Sequence, residues 1–167
     1  MINPKWSLYK DYKMAKMNLS ESIPQEEIRA MRAFHFLEEC LRDLSYPNHI
    51  LFVWVTEYYV QDCCSYMNRL GYRYYARFIW ANKPANVQPA REYLLMYYKG
   101  NFLPFTINFS GPLKLTFTGS VKTQKCKPAA AYSMIDAFYP YWSKLQLFGW
   151  TRRPGWSVFH QNEKKYK

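Results

Sequence analysis

The hydrophobic pattern of the chain is most regular between residues 50 and 99. Residues 50–56 form a continuous apolar run of strand length, rich in β-branched and aromatic side chains, which predicts a strand covered on both faces. Residues 58–70 carry apolar side chains at three- and four-residue spacing, and Gly71 follows as a helix stop signal. The apolar positions of this segment are Val60, Cys64, Met67 and Leu70. We therefore predict a helix that crosses one face of a sheet.

Two aromatic-rich segments follow and predict the next strands. Residues 72–80 combine tyrosines with apolar side chains, and residues 93–98 form a second aromatic run that Lys99 and Gly100 end. A strand, a crossover helix and a returning strand form an α/β unit. The pattern therefore predicts an α/β fold.

The pattern on either side of this unit is weaker but still periodic. A Ser-x-x-Gln signal at residues 22–25 predicts the start of a helix, and apolar residues then mark one face of it as far as residue 44. Those residues are Ile28, Met31, Phe34, Leu37, Leu41 and Leu44. Residues 113–118 alternate like a strand with one solvent-exposed face. Residues 128–138 predict a helix that opens with proline, and residues 144–150 predict a short strand that runs into a glycine turn.

Length and composition limit the number of domains. The chain has 167 residues, of which 49% are hydrophobic and 20% aromatic, and this is enough for one sizeable core. We predict a single domain over residues 1–167. The basic and aromatic residues 1–20 and the basic tail 164–167 are predicted to be flexible.

The charge balance indicates a polyanionic partner. Lys and Arg number 23 against 12 Asp and Glu, so the formal net charge is +11, which favours nucleic acid through phosphate contacts and counterion release. A basic protein at a membrane surface is the alternative. The sequence has no apolar run of about 18 residues and no apolar segment at its start, so we expect no membrane partner.

Basic residues outside the predicted core are the candidate phosphate contacts. They are Lys10, Lys13, Lys16, Lys122, Lys125, Arg152, Arg153, Lys164 and Lys165. Each group also has a plainer interpretation: a solvated loop for the N-terminal lysines, a disordered tail for the C-terminal ones, and a salt bridge to a protein partner for the two arginines. The sequence leaves both interpretations open.

The cysteines and histidines form no metal-ligand pattern. The four cysteines lack paired two-residue spacing, and two adjacent cysteines on a helix point in different directions. The cysteines are Cys40, Cys63, Cys64 and Cys126, and the histidines, scattered among unrelated elements, are His35, His49 and His160. We predict buried free thiols and no metal site.

Several separate segments, taken in order, resemble one known family. The segments are Trp54-Val55-Thr56, Leu70-Gly71-Tyr72, Ile79-Trp80, Glu92-Tyr93-Leu94-Leu95, Lys99-Gly100, Lys127-Pro128, Leu147-Phe148-Gly149, Gly155-Trp156 and Asn162-Glu163. In order and approximate spacing they resemble the MTA-seventy family of N-6 adenine methyltransferases. The resemblance extends over nearly the whole chain.

This resemblance implies a fold and a reaction. The family has a Rossmann-like methyltransferase sheet with permuted motif order, in which the catalytic tetrapeptide comes first and the cofactor-binding strand last. Its members transfer a methyl group from S-adenosylmethionine to the exocyclic amine of adenine in RNA or DNA. In active members the tetrapeptide Asp-Pro-Pro-Trp orients that amine and stacks on a base that is flipped out or single-stranded.

The matching tetrapeptide here departs from the family at two of its four positions. It reads Asn3, Pro4, Lys5 and Trp6. Asn3 keeps an amide oxygen, whereas Lys5 brings a flexible cation to the place of a rigid proline, next to the expected site of a positively charged sulfonium. The strand that the family has before the tetrapeptide is reduced to two residues. The resemblance therefore implies a degenerate motif without catalytic residues.

The resemblance also carries over three vestigial cofactor residues. They are Lys127 of the Lys-Pro helix, with Asn162 and Glu163 of the closing pair. Trp150 stands where the family usually has arginine, and Ala129 replaces a common acid. We therefore expect no cofactor in this chain and expect S-adenosylmethionine in a partner subunit.

The family's eukaryotic enzymes pair a subunit that keeps Asp-Pro-Pro-Trp with a paralogous subunit that has lost it. The resemblance implies that this chain is the non-catalytic subunit of such a heterodimer, similar to ciliate DNA adenine methyltransferase complexes. It implies a nuclear location, DNA in preference to RNA, and further DNA-binding accessory subunits as partners. Two alternatives stay open: an active N-6 adenine methyltransferase in which Asn3 and Trp6 still work, and a stand-alone nucleic-acid-binding module.

Overall fold

The structure, a computed structural model, describes residues 1–2, 38, 40–81, 92–101, 115–119, 127–148 and 152–159. These residues form a mixed α/β arrangement, so the predicted class is confirmed. In chain order the elements are β1 (His49–Thr56), α1 (Val60–Arg69), β2 (Arg73–Ala81), β3 (Glu92–Lys99), β4 (Thr116–Thr118), α2 (Ala129–Phe138), β5 (Lys144–Leu147) and β6 (Trp156–Phe159). A 3₁₀ turn, Glu57–Tyr59, connects β1 to α1, and a further helix ends at residue 44.

The main sheet has four strands in the order β1-β3-β2-β4. β3 pairs antiparallel with both β1 and β2, and β2 pairs parallel with β4. β1 and β2 therefore run in the same direction, as the predicted strand-helix-strand unit requires. The insertion of β3 between them is a feature that the hydrophobic pattern did not predict.

Ile2 connects the main sheet to a second, two-stranded sheet in which β5 and β6 are parallel. It forms isolated parallel bridges to Val53 of β1 and to Leu147 of β5. Its N–H donates to the carbonyl of Phe52 at 2.7 Å, and its carbonyl accepts from the N–H of Trp54 at 2.9 Å. The strand order is therefore β4-β2-β3-β1-Ile2-β5-β6, and β3 alone among the described strands runs against the others.

The side chains of β1 alternate between two hydrophobic cores, one on each face of the sheet. The core on the face of α1 includes Leu51, Val53, Val55, Cys63, Met67, Leu95 and Tyr97. The core on the face of α2 includes Phe52, Trp54, Phe78, Leu94, Met96, Ile135 and Phe138. Both faces of β1 are therefore covered, as the apolar run of residues 50–56 predicted.

Helix α1 confirms the predicted helix but not all of its apolar stripe. Gly71 follows the helix with a φ of 78°, a left-handed conformation that glycine adopts without the steric cost of a Cβ. The buried residues of α1 are Cys63 and Met67, whereas Cys64, which the pattern placed in the stripe, is only half-buried. Cys63 and Cys64 lie four and three residues before Met67, and both spacings fit one face of a helix, so the pattern alone did not decide which cysteine faces the core.

Two further predictions need correction. Leu44 is 39% exposed, although the pattern placed it on the apolar face, because the helix ends at this residue while Cys40 and Leu41 are buried. The strand β6 was missed, since four residues are too few to establish a period of two.

The remaining predictions concern the cysteines, a metal site and a membrane-spanning helix. Cys40 and Cys63 are buried, as predicted, and burial raises the pKa of the Cys63 thiol to about 12. Cys126 and His35 lie outside the described residues. Within the described ranges, no three His, Cys, Asp or Glu side chains are grouped so that they could hold a metal ion. None of the described helices has the length and apolar character needed to cross a bilayer.

Candidate functional site

The parallel strands end together at one edge of the sheet. Ile2, β1, β5 and β6 run in the same direction, so the carboxyl ends of these segments lie at a common edge. The first four strands of the chain lie on one side of Ile2, in the spatial order β1, β3, β2 and β4, and the last two, β5 and β6, lie on its other side. The strand order changes direction beside Ile2. In open α/β sheets, ligands bind outside the carboxyl ends of the strands at such a switch point.

A largely buried ion pair lies at this carboxyl edge. Lys127 Nζ pairs with the carboxylate of Glu92, which is opposite Thr56 in the register of β1 and β3. The Lys127 side chain is 9% exposed. Its Nζ lies 5.0 Å from the ring centroid of Trp54 and 5.8 Å from that of Trp80. One carboxylate and two indole faces therefore surround this ammonium group.

Two further polar groups lie at the carboxyl end of β1. On the face of α1, opposite the ion pair, the hydroxyl of Tyr93 donates to a carboxylate oxygen of Glu57 at 3.3 Å. Oγ1 of Thr56 is buried and has no hydrogen-bond partner among the described residues. A buried hydroxyl without a partner costs free energy, so this oxygen has unused capacity for a hydrogen bond.

Trp54 connects the ion pair to the first residues of the chain. Its Nε1–H donates to Sδ of Met1 at 3.3 Å, and its ring packs edge-on against Trp80, with the ring centroids 5.9 Å apart. The Trp54 side chain is fully buried. Ile2 and the ion pair are therefore parts of one rigidly packed region.

Neither models of known protein families nor curated protein sequences provide a match for this chain. The resemblance to the adenine methyltransferases therefore stays a prediction. The tetrapeptide Asn3, Pro4, Lys5 and Trp6 lies outside the described residues, as do Asn162 and Glu163. Lys127 is the predicted cofactor residue that the structure describes, and its ammonium group has a carboxylate partner within the chain.

Among the candidate phosphate contacts, the structure describes the two arginines. Arg152 is exposed. The guanidinium of Arg153 lies 3.7 Å from the ring centroid of Tyr132, whose hydroxyl accepts from Nε2 of Gln146 at 2.8 Å. Arg153 therefore packs on α2, and its Nε is buried without a hydrogen-bond partner in the described part of the chain. The candidates outside the described residues are Lys10, Lys13, Lys16, Lys122, Lys125, Lys164 and Lys165.

The opposite, amino edge of the sheet has a cavity of about 330 Å³ between β1 and β5. Met1 lines this cavity, and its amino group donates to the carbonyl of Leu145 at 2.6 Å. Burial lowers the pKa of this amine from 8.0 to about 5. His49 also lines the cavity, and burial lowers its pKa although its ring contacts the carbonyl of Tyr46 at 2.5 Å and the hydroxyl of Tyr72 at 2.7 Å.

Sequence reasoning missed a cationic surface at the start of β2. The guanidinium of Arg73 lies 4.7 Å from the ring centroid of Tyr98, and that of Arg77 lies 5.1 Å from the ring centroid of Tyr93. The signal in the sequence is the Arg-Tyr-Tyr-Ala-Arg segment at residues 73–77. Within an aromatic-rich strand, its tyrosines were interpreted as core material.

Proposed function

We propose that this chain is a non-catalytic subunit of a heterodimeric N-6 adenine methyltransferase, which stabilises an active sister subunit and helps to bind nucleic acid. The position of Ile2 between β1 and β5 carries the proposal. Ile2 directly precedes the tetrapeptide that begins at Asn3, and it lies at the switch point of the sheet. Beside it is the strand whose Leu-Phe-Gly motif resembles the family's cofactor-binding strand.

The strand order supports a Rossmann-like sheet of the permuted kind. A permuted motif order brings the first residues of the chain next to its late strands. Here the amine of Met1 bonds to Leu145 across 144 residues, and Ile2 separates β1 from β5. Ile2, which directly precedes the tetrapeptide in the sequence, is therefore a neighbour of the late strand β5.

The residue types favour a supporting role over catalysis. Lys5 would bring a cation close to the positive sulfonium of the methyl donor, and like charges at short distance repel. Lys127, at the family's cofactor position, is paired with Glu92 and faces two indole rings. We assign Lys127 a structural role: it holds the start of α2 against β1 and β3. The methyl donor is assigned to the sister subunit.

Methyl transfer from labelled S-adenosylmethionine tests the proposal. We compare this chain alone, an Asp-Pro-Pro-Trp sister subunit alone and the pair, with single-stranded and duplex DNA and RNA. We expect activity to require the pair and to be unchanged by Asn3→Ala in this chain. The matched control, Asp→Ala in the sister tetrapeptide, should abolish transfer. Turnover by this chain alone that Asn3→Ala removes would establish an active methyltransferase instead.

The net charge of +11 favours a second candidate, a stand-alone nucleic-acid-binding module. Such a module would be a monomer with salt-dependent affinity and no need of a methyltransferase partner. Co-expression of tagged sister subunit with this chain distinguishes the two. Stoichiometric co-purification supports the heterodimer, and its absence, together with nucleic-acid binding by the chain alone, supports the module.

A further inference from the structure

The outer edge of β2 is open along its first half in the described part of the chain. β4 pairs with β2 only at Ile79, Trp80 and Ala81, so no described strand lies beside residues 73–78. The register of β2 shifts between Tyr74 and Ala76, which marks a β-bulge at Tyr75. An open strand edge exposes backbone donors and acceptors and is a place where other chains can bind.

Four exposed cations surround this edge: Arg69, Arg73, Arg77 and Lys99. None of them lies within ion-pair distance of a described carboxylate, because the described ion pairs involve other residues. Lys99 Nζ donates to the carbonyl of Leu70 at 2.9 Å, which holds it at the turn between α1 and β2. The positive charge of this region is therefore not neutralised by described groups of the chain.

One exposed aromatic ring, that of Tyr74, lies among these cations on the face of α1. Tyr74 is 52% exposed, and its ring packs edge-on against Tyr97 of the core on that face, with the centroids 5.7 Å apart. The ring of Tyr75 packs against Tyr98, 6.3 Å away, on the opposite face of the sheet and is not part of this group. An exposed aromatic ring between cations is an arrangement on which a base of a single strand stacks.

We propose that Tyr74 and Arg77 of β2, with Arg69 and Lys99, form a surface on the face of α1 that binds single-stranded nucleic acid. The cations contact phosphates, and Tyr74 stacks on an unpaired base. Arg73, which packs on Tyr98, lies on the opposite face and is outside this surface. This surface, here called the β2 edge surface, gives a location to the nucleic-acid role of the proposed function and rests on that function.

The competing explanation is that the charges and the bulge protect the open edge from pairing with other chains. Charged side chains and bulges do serve that purpose in many sheets. A large, exposed tyrosine has the opposite effect, because it adds apolar surface where other chains can pair. Edge protection therefore explains the arginines and the bulge but not Tyr74, whereas nucleic-acid binding explains Tyr74 and the cations beside it.

Fluorescence anisotropy with a labelled single-stranded oligothymidylate and the chain alone tests the charge contacts. We expect affinity to fall with salt, and Arg77→Gln to reduce the slope of log K against log salt by about 0.7, the contribution of roughly one single-strand phosphate. The matched control is Arg42→Gln, since Arg42 is exposed but paired with Asp43. Equal effects of the two substitutions would overturn the proposal.

The same assay tests the stacking contacts. Tyr74→Ala should weaken binding at least about five-fold, while Tyr74→Phe should retain it, because stacking uses the ring and not the hydroxyl. Tyr46→Ala, at a tyrosine that is 76% exposed and remote in sequence, is the control and should have no effect. Thermal denaturation confirms that each variant is folded. Aggregation of folded variants with unchanged affinity would overturn the proposal in favour of edge protection.

The form of the nucleic acid separates this surface from the proposed function. We expect single-stranded DNA and RNA of one sequence to bind alike, and duplex DNA more weakly, since paired bases cannot stack on Tyr74. Duplex binding as tight as single-strand binding would contradict the surface. If methyl transfer requires the pair but Arg77→Gln and Arg42→Gln bind alike, the surface is wrong and the heterodimer survives. If single-stranded nucleic acid binds tightly through this surface but methyl transfer does not require the pair of subunits, the surface is correct and the heterodimer is wrong.

Discussion

Lys127 and Glu92 are charged groups held largely out of water, with side-chain exposures of 9% and 27%. Removing a charge from water costs free energy that the partner's opposite charge must offset. Loss of one partner leaves the other buried and uncompensated, whereas loss of both removes the cost together with the attraction. The pair is therefore more important for the arrangement of β1, β3 and α2 than for net stability.

Substitution of one partner tests this account. Lys127→Met should lower the free energy of unfolding by about 3 kcal/mol, because Glu92 stays charged and partly buried. The double variant Lys127→Met/Glu92→Met should recover most of that loss. Urea denaturation measures both. Arg42→Met, at an ion pair whose arginine side chain is 72% exposed, is the control and should change stability by less than about 1 kcal/mol.

The amine of Met1 makes stability depend on pH. Burial lowers its pKa from 8.0 to about 5 in the folded chain. Between these values the unfolded state binds more protons, so stability rises with pH from about 5 to 8 and is lost as the pH falls. The difference, 8.0 minus about 5, is about 3 pKa units, or roughly 4 kcal/mol at most. The lowered pKa of His49 acts with the same sign below 6.5.

Urea denaturation at several pH values across this window measures the effect. Acetylation of the Met1 amine is the matched control, because it removes the titrating group. The acetylated chain should lose the part of the pH dependence between about 6.5 and 8, and His49 should account for what remains at lower pH. The same slope before and after acetylation would contradict the assignment.

At the scale of elements, the single residue Ile2 occupies the position of a strand between β1 and β5. It is 1% exposed and bridges β1 and β5. Ile2→Pro removes the N–H that donates to the Phe52 carbonyl and should cost about 3 kcal/mol or more. Ile2→Val keeps that bond and should cost about 1 kcal/mol. Chemical denaturation measures both, and similar losses for the two variants would mean that Ile2 contributes apolar contacts alone.

The elements themselves were largely predictable where they are long. β1, α1, β2 and β3 follow the predicted segments closely, because each has enough residues to show an apolar run or a helical period. β6 has four residues, Trp156–Phe159, and escaped prediction. Inside α1, Cys63 and Cys64 both fit helical spacing to Met67, and only the packing of the helix against the sheet decided that Cys63 is the buried one.

The sequence identified individual residues of the candidate site but not the contacts between them. Lys127 was singled out by a motif resemblance, but its partner Glu92 lies 35 residues away in sequence and was not linked to it. The β2 edge surface was also not predictable as a site. Tyr74 and Arg77 are close in sequence, but the open strand edge beside them follows from the limited length over which β4 covers β2.

For the whole molecule, the sequence alone determined the α/β class, the main elements and the positive charge. These properties are local or additive, because a hydrophobic period involves near neighbours and net charge is a sum over residues. Only the tertiary structure decided that β3 lies between β1 and β2, that Ile2 lies between β1 and β5, and that Lys127 is paired with Glu92. Each of these contacts joins residues far apart in the chain. Their pairing depends on which strands become neighbours, and no local pattern specifies that choice.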